Sequence, residues 1–239
     1  MRDKVYFNER IRAEYMKTAR AQGGVATRTA NKLKRKQTIL NTARGIIASG
    51  GYSSFTLAEL ASLANVTVPT IHNLIGNKSE VLKQLVVDMV ERTEHVLFTD
   101  KFSDPITAVE SFTDNLMSLY QDDEAFYKAA FVIGEQESLF EHGHAGGIFK
   151  KSLKLAYNVC TDAKEHGFLN GNVDPELLAD RVFANQRIAR YDWMHGYIDL
   201  PEYRRQMICG MLLTFAADAT EEYRVVLLAK INHVFSSRK

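Results

Sequence analysis

The sequence predicts an all-α protein. Glycine and proline are sparse, 14 and 4 in 239 residues. Strand-like alternation of apolar and polar residues is nearly absent. Apolar residues instead recur at three- and four-residue spacing almost throughout, which is the period of a helix with one buried face.

Residues 1–33 read as a basic N-terminal arm, in which Gln22-Gly23-Gly24 and Thr27-Arg28-Thr29 suggest a flexible joint. A first firm helix follows from about Lys34 to Ser49, with Ile39, Leu40, Ala43, Ile46 and Ile47 along one side and Gly50-Gly51 as its stop. Thr56 opens a second helix through the capping box Thr56-x-x-Glu59, and Leu57, Leu60 and Ala61 face inward. That helix ends near Ala64. Asn65 is one of the few non-glycine residues that tolerates the left-handed conformation a tight inter-helix turn requires, and Val66 plugs the core there. A third helix runs from about Thr67 to Leu74, with Pro69 tolerable in the first turn and Ile71 and Ile75 pointing inward. Thr67, Val68, Thr70, His72 and Asn73 are left outward.

Asn77 caps a fourth helix, in which Val81, Leu82, Leu85, Val86, Met89 and Val90 form a broad apolar stripe linking the two halves of the chain. Further helices are expected at about 105–120, 124–134, 146–166, 174–197, 201–219 and 220–236, with Asp174-Pro175 and Pro201 marking starts. Gly134 to Gly147 is the one long irregular stretch, a mobile loop able to serve as a lid. Its Glu141-His142-Gly143-His144 reads as polar loop, and no metal or other cofactor is expected.

The net charge of +1 hides a segregation. Residues 1–83 hold 14 Lys and Arg against 5 Asp and Glu, a net +9, whereas the remainder holds 16 against 24, a net −8. Only the first third is suited to a polyanion. Cys160 and Cys209 sit among apolar neighbours and read as small core residues in a reducing compartment. No apolar run is long enough to span a membrane and none resembles a signal segment, so a cytoplasmic protein without membrane contact is expected. An enzyme fares poorly: no glycine-rich phosphate loop, nucleophile elbow or paired-carboxylate arrangement is recognisable.

The chain resembles the TetR family of bacterial transcriptional regulators, most strongly over residues 38–82. Ile39, Ala43 and Ile47, then Gly51-Tyr52, Phe55-Thr56, Leu60-Ala61, Val66-Thr67-Val68-Pro69-Thr70-Ile71 and Asn77-Lys78-Ser79-Glu80-Val81-Leu82 carry the likeness. It departs from the family pattern at Asn65, where glycine is usual, at His72, where an aromatic is usual, and at Leu74-Ile75. The resemblance implies a three-helix helix-turn-helix DNA-binding domain over 34–83, followed over 84–239 by a larger helical effector-binding and dimerisation domain. It further implies a homodimer on a near-palindromic double-stranded operator, usually a repressor, released by a small-molecule effector.

In such a motif the second helix enters the major groove. Here Thr67, Val68, Thr70, His72 and Asn73 are the candidate base readers. They include no Lys or Arg, so bidentate guanine reading is absent and A·T-rich steps are favoured. Phosphate contacts are assigned to Lys34, Arg35, Lys36, Arg44, Thr56 and Lys78, with the arm adding minor-groove or backbone contacts. Lys78 opposes the dipole at a helix start, a placement that makes sense beside a phosphate. An apolar or amphipathic effector is expected in a pocket drawn from Phe112, Leu116, Tyr120 and Phe126, with Phe131, Tyr157, Phe183 and Trp193. Trp193 equally suits a subunit interface. The rival reading is a ligand-free architectural or partner-regulated DNA-binding protein on the same scaffold, which a cavity-free second domain would favour.

Overall fold

The computed structural model describes residues 28–51, 54–97, 102–137 and 148–236. These are almost wholly helical. The β pairing among them is an isolated antiparallel bridge between Leu169 and Ala219. The chain divides into two compact units, one of Met1–Ile46 with Phe55–Val81 and the other of Ile47–Ser54 with Leu82–Lys239.

Helix α1 includes residues 28–51 and belongs to the first unit as far as Ile46. The chain is therefore already helical within the segment expected to be an arm: residues 28–33 show no apolar period, yet no glycine or proline breaks a helix between them and Gly45. Its buried stripe is Ile39, Leu40, Ala43 and Ile46. Gly51, itself among the helical residues, has φ 71°, a left-handed conformation that glycine adopts readily.

The short helices α2 (Leu57–Leu63) and α3 (Val68–Leu74) are built by capping chemistry. Thr56 Oγ1 accepts from the Glu59 amide at 3.2 Å. At the other end of α2, Val66 N–H donates to the Ala61 carbonyl and Asn65 N–H to that of Ser62, the two bonds of a Schellman stop. That geometry needs a left-handed residue, and Asn65 supplies it at φ 52°. Thr67 is the cap of α3 rather than its first helical residue, with its hydroxyl accepting from the Thr70 amide. Ile71 is fully buried, whereas Val66, Leu57 and Ile75, expected to plug the core, are half-buried at its margin.

The helix α4 (Lys78–Leu97) opens with a reciprocal box. Asn77 N–H donates to Glu80 Oε2 at 2.6 Å and Glu80 N–H to Asn77 Oδ1 at 3.0 Å. Gly76 at φ 135° makes room for it, because a Cβ there would stand 1.8 Å from Glu80 Oε2.

The second unit comprises most of α4 with α5 (Pro105–Gln121), α6 (Glu124–Gln136), α7 (Ile148–Glu165), α8 (Pro175–Met194), α9 (Leu200–Ala216) and α10 (Glu221–Ser236). Asp104, Asp123, Asp174 and Asp199 cap α5, α6, α8 and α9. The pair α8 and α9 is the centre, with α7 and α6 on α8 and α5 and α10 on α9. Asp218, 2% exposed, accepts from the amides of Gly171, Asn172 and Val173 and so ties the α9–α10 link to the α7–α8 loop. Gly134 lies buried inside α6, since that helix continues to Gln136 instead of yielding to a loop. The Glu141–His144 run lies outside the described residues.

Gly45 sits in the body of α1, and a Cβ built on it meets nothing within 4 Å. Gly45→Ala is expected to stabilise the protein by about 0.5–1 kcal/mol, since alanine loses less backbone freedom on entering a helix. Urea melts of the two proteins check this, and an unchanged or lowered midpoint contradicts it.

Candidate nucleic-acid interface and ligand cavity

The outward side of α3 carries few charges and a self-contained hydrogen-bond pattern. Thr67, His72 and Asn73 are exposed, while Val68 and Thr70 are half-buried. The Thr67 and Thr70 hydroxyls bond each other at 2.9 Å, and Thr67 Oγ1 also accepts the Thr70 amide. His72 and Asn73 are therefore the exposed polar side chains of the third helix proper. On α1, Lys34 and Arg35 are exposed and Lys36 and Arg44 half-buried.

Lys78 departs from expectation. Its Nζ donates to the Phe55 carbonyl at 2.7 Å and stands 5.7 Å from the centre of the Phe55 ring. The carbonyl and the ring face supply the negative potential that offsets its position at a helix start. A bound phosphate is not needed to explain the residue. Because Phe55 precedes Thr56, this bond also brings Thr56 and Lys78 to one corner of the unit.

Among the described residues of the second unit, two small adjoining cavities are found. The first, about 20 Å³, is walled by Leu116, Tyr120, Phe131, Gln186 and Arg190 among others. The second, about 50 Å³, is walled by Val109, Val159, Val182, Met211 and Phe215 among others. Phe112, Ser152 and Phe183 line both. Arg190 lies with its guanidinium 4.9 Å from the centre of the Phe131 ring. Burial pushes the Tyr120 hydroxyl far above the ordinary phenol range, and it raises that of Tyr203 although Arg190 and a bond from Gln186 pull the other way. Both rings stay neutral at any ordinary pH.

Residues 39–85 match the family model for bacterial regulatory proteins of the tetR family. These residues are a tetR-family DNA-binding domain. No curated protein matches the chain. Among solved structures, a TetR-family transcriptional regulator from Marinobacter aquaeolei VT8 superposes with a TM-score of 0.62 at 12% identity, covering 83% of this chain and 98% of that one. A TetR transcription regulator from Haloarcula marismortui ATCC 43049 gives 0.63 at 14%, covering 78% and 99%. SmeT, the repressor of the Stenotrophomonas maltophilia multidrug efflux pump SmeDEF, gives 0.57 at 18%, covering 78% and 91%. The likeness thus extends to the fold of the larger helical domain that follows the tetR-family one. No described helix is long and apolar enough to cross a membrane.

Of the residues expected to line a pocket behind the tetR-family domain, Phe112, Leu116, Tyr120, Phe131 and Phe183 border the cavities. Phe126, Tyr157 and Trp193 border neither. Phe126 is 2% exposed and packs edge-on against Tyr127, and Tyr157 lies half-buried under the Lys154 ammonium. Trp193, 0% exposed within a single chain, is also excluded from a subunit surface. It stacks on Tyr120 at 5.0 Å and on Tyr203 at 5.3 Å, those two rings standing 6.3 Å from each other, and its Nε1 donates to Glu124 at 2.9 Å. Gln186 and Arg190 were missed. The signal for them is spacing, since Val182, Phe183, Gln186, Arg190 and Trp193 follow one another at one-, three- and four-residue steps.

Lys78→Met is expected to lower stability by about 1 kcal/mol, the worth of a half-buried hydrogen bond from a charged donor. Chemical denaturation measures it, and an unchanged midpoint would show that the Phe55 bond contributes nothing.

Proposed function

We propose that the protein is a ligand-responsive transcriptional repressor that binds a near-palindromic operator as a homodimer. The observation that carries this reading is the tetR-family helix-turn-helix with an uncharged, exposed third helix, followed by a helical domain with aromatic-walled cavities. α3 reads base edges in the major groove. Asn73 pairs with adenine, His72 donates to a phosphate or a purine acceptor, and Val68 with the Thr67 and Thr70 methyls meets thymine methyls. Thr56 keeps its hydroxyl proton for a phosphate while its oxygen serves as cap. Lys34, Arg35, Lys36 and Arg44 supply the attraction, shared by the basic segment before α1, and Lys78 positions Thr56 as much as it grips.

Support for a dimer comes from the outer sides of α8 and α10. Ile188 and Tyr191 on α8, and Val225, Val226 and Phe235 on α10, are 47–66% exposed. Apolar groups gathered on two helices in this way fit an isologous contact with a second copy. The inner side of α8 meanwhile borders the cavities through Phe183, Gln186 and Arg190. An effector that binds one conformer better than the other shifts the population towards it, and α8 is the helix both events share. The ligand-free reading draws on the smallness of the cavities, which hold only a few water-sized groups as they stand.

Deleting residues 1–27, which keeps the described residues of α1, is expected to weaken binding to a selected operator and to flatten its dependence on salt. Affinity titrations at several salt concentrations decide it; identical slopes and affinities would remove the N-terminal segment from the interface. Ile188→Glu combined with Val226→Glu is expected to give a folded monomer in light scattering. A dimer that persisted would move the interface elsewhere.

A further inference from the structure

The two cavities differ in polarity. The second is apolar apart from Ser152. The first contains the amide of Gln186, a side chain 5% exposed whose Nε2 donates to the Tyr203 hydroxyl at 3.2 Å. Its Oε1 has no hydrogen-bond partner among the described residues. A buried acceptor left unmatched costs free energy that a ligand donor recovers. Arg190, one turn further along α8, borders the same cavity with a guanidinium that has five N–H donors. The polar end of the space is therefore on α8, and its apolar end lies towards α7 and α9.

We propose that the two cavities are the ends of one site for a neutral amphiphile: an apolar chain that ends in a single hydroxyl. The hydroxyl donates to Gln186 Oε1 and accepts from Arg190. The chain passes Phe112 and Phe183, which stand at the boundary of both cavities, and its end occupies the space beside Val159, Val182 and Met211. Volumes of about 20 and 50 Å³ require those two phenylalanines to turn aside for entry. The head group follows from donor counting. A carboxylate has no proton for Oε1 and sets lone pair against lone pair, whereas an ether accepts from Arg190 but leaves Oε1 unmatched. This inference rests on the reading of the cavities as the effector site and adds the ligand's chemical class.

The test uses the full chain with 1-octanol, heptyl methyl ether and octanoate, probes of matched length. Trp193 is the sole tryptophan and stacks on Tyr120, a wall of the first cavity, so its fluorescence reports occupancy. Octanol is expected to bind at least about tenfold more tightly than the other two, and Gln186→Leu to abolish that preference. Should Gln186→Leu not fold, Ala156→Leu, which narrows the apolar end, is expected to weaken octanol more than butanol. Equal binding of alcohol and ether, tightest binding of octanoate, or no difference between octanol and butanol in the Ala156→Leu protein overturns the proposal. Operator titrations separate it from the regulatory reading. A hydroxyl preference without any change in operator affinity upholds the site and defeats effector control, whereas operator release by compounds lacking a hydroxyl, with octanol unbound, does the reverse.

Discussion

The mutual packing of Trp193, Tyr120 and Tyr203 is the contact on which the second unit depends. It draws together α5, α8 and α9, and the indole bond to Glu124 adds α6. Each ring pair contributes roughly 0.5–1.5 kcal/mol beyond the area it buries. Glu124 is in turn held by Lys128 at 2.8 Å, whose ammonium lies 5.4 Å from the indole. The polar atom of the largest side chain is thus satisfied at the edge of the core. The cavities begin where the stack ends. Tyr120 belongs to the stack and to the first cavity, so one wall of the proposed ligand site is shared with the aromatic cluster, while Phe112 and Phe183 line both cavities.

The first unit has too small a core to rely on burial alone, and local hydrogen bonding does much of the work. Thr56, Thr67 and Asn77 cap three successive helices, and Asn65 closes the turn between two of them. The longer-range tie is Lys78 to Phe55, across 23 residues. It anchors the start of α4 to the strand-like step before α2, and so fixes the position of Thr56 relative to the fourth helix. A lysine expected to contact a phosphate from its place at a helix start is also a brace within the fold.

The capping boxes and the left-handed turn were legible in the sequence because they are local: each depends on residues three or four apart. The same holds for the helix start at Asp174-Pro175. What was not legible involves separation along the chain. Trp193 was placed either on a pocket wall or on a subunit surface because its partners, Glu124 and Tyr120, lie about seventy residues away. Gln186 was passed over because a glutamine in a helix reads as solvated until Tyr203 is known to stand against it. The start of α1 was set too late for a different reason, since an exposed helical end carries no apolar period to announce it. Of the aromatics expected at a pocket, those of α5 and α8 ahead of Trp193, with Phe131 of α6, border the cavities, whereas Phe126, Tyr157 and Trp193 have closer partners of their own.

The third helix buries one side chain, Ile71, and closes its own cap through the Thr67–Thr70 pair. His72 and Asn73 are consequently under almost no folding constraint. On the proposed function, mutational drift at those two positions can explore new operators without endangering the domain, and the attraction assigned there to α1 persists through each intermediate. A gene duplicated from this one would be able to diverge in target before it diverged in stability, which is a route by which one scaffold comes to serve many promoters.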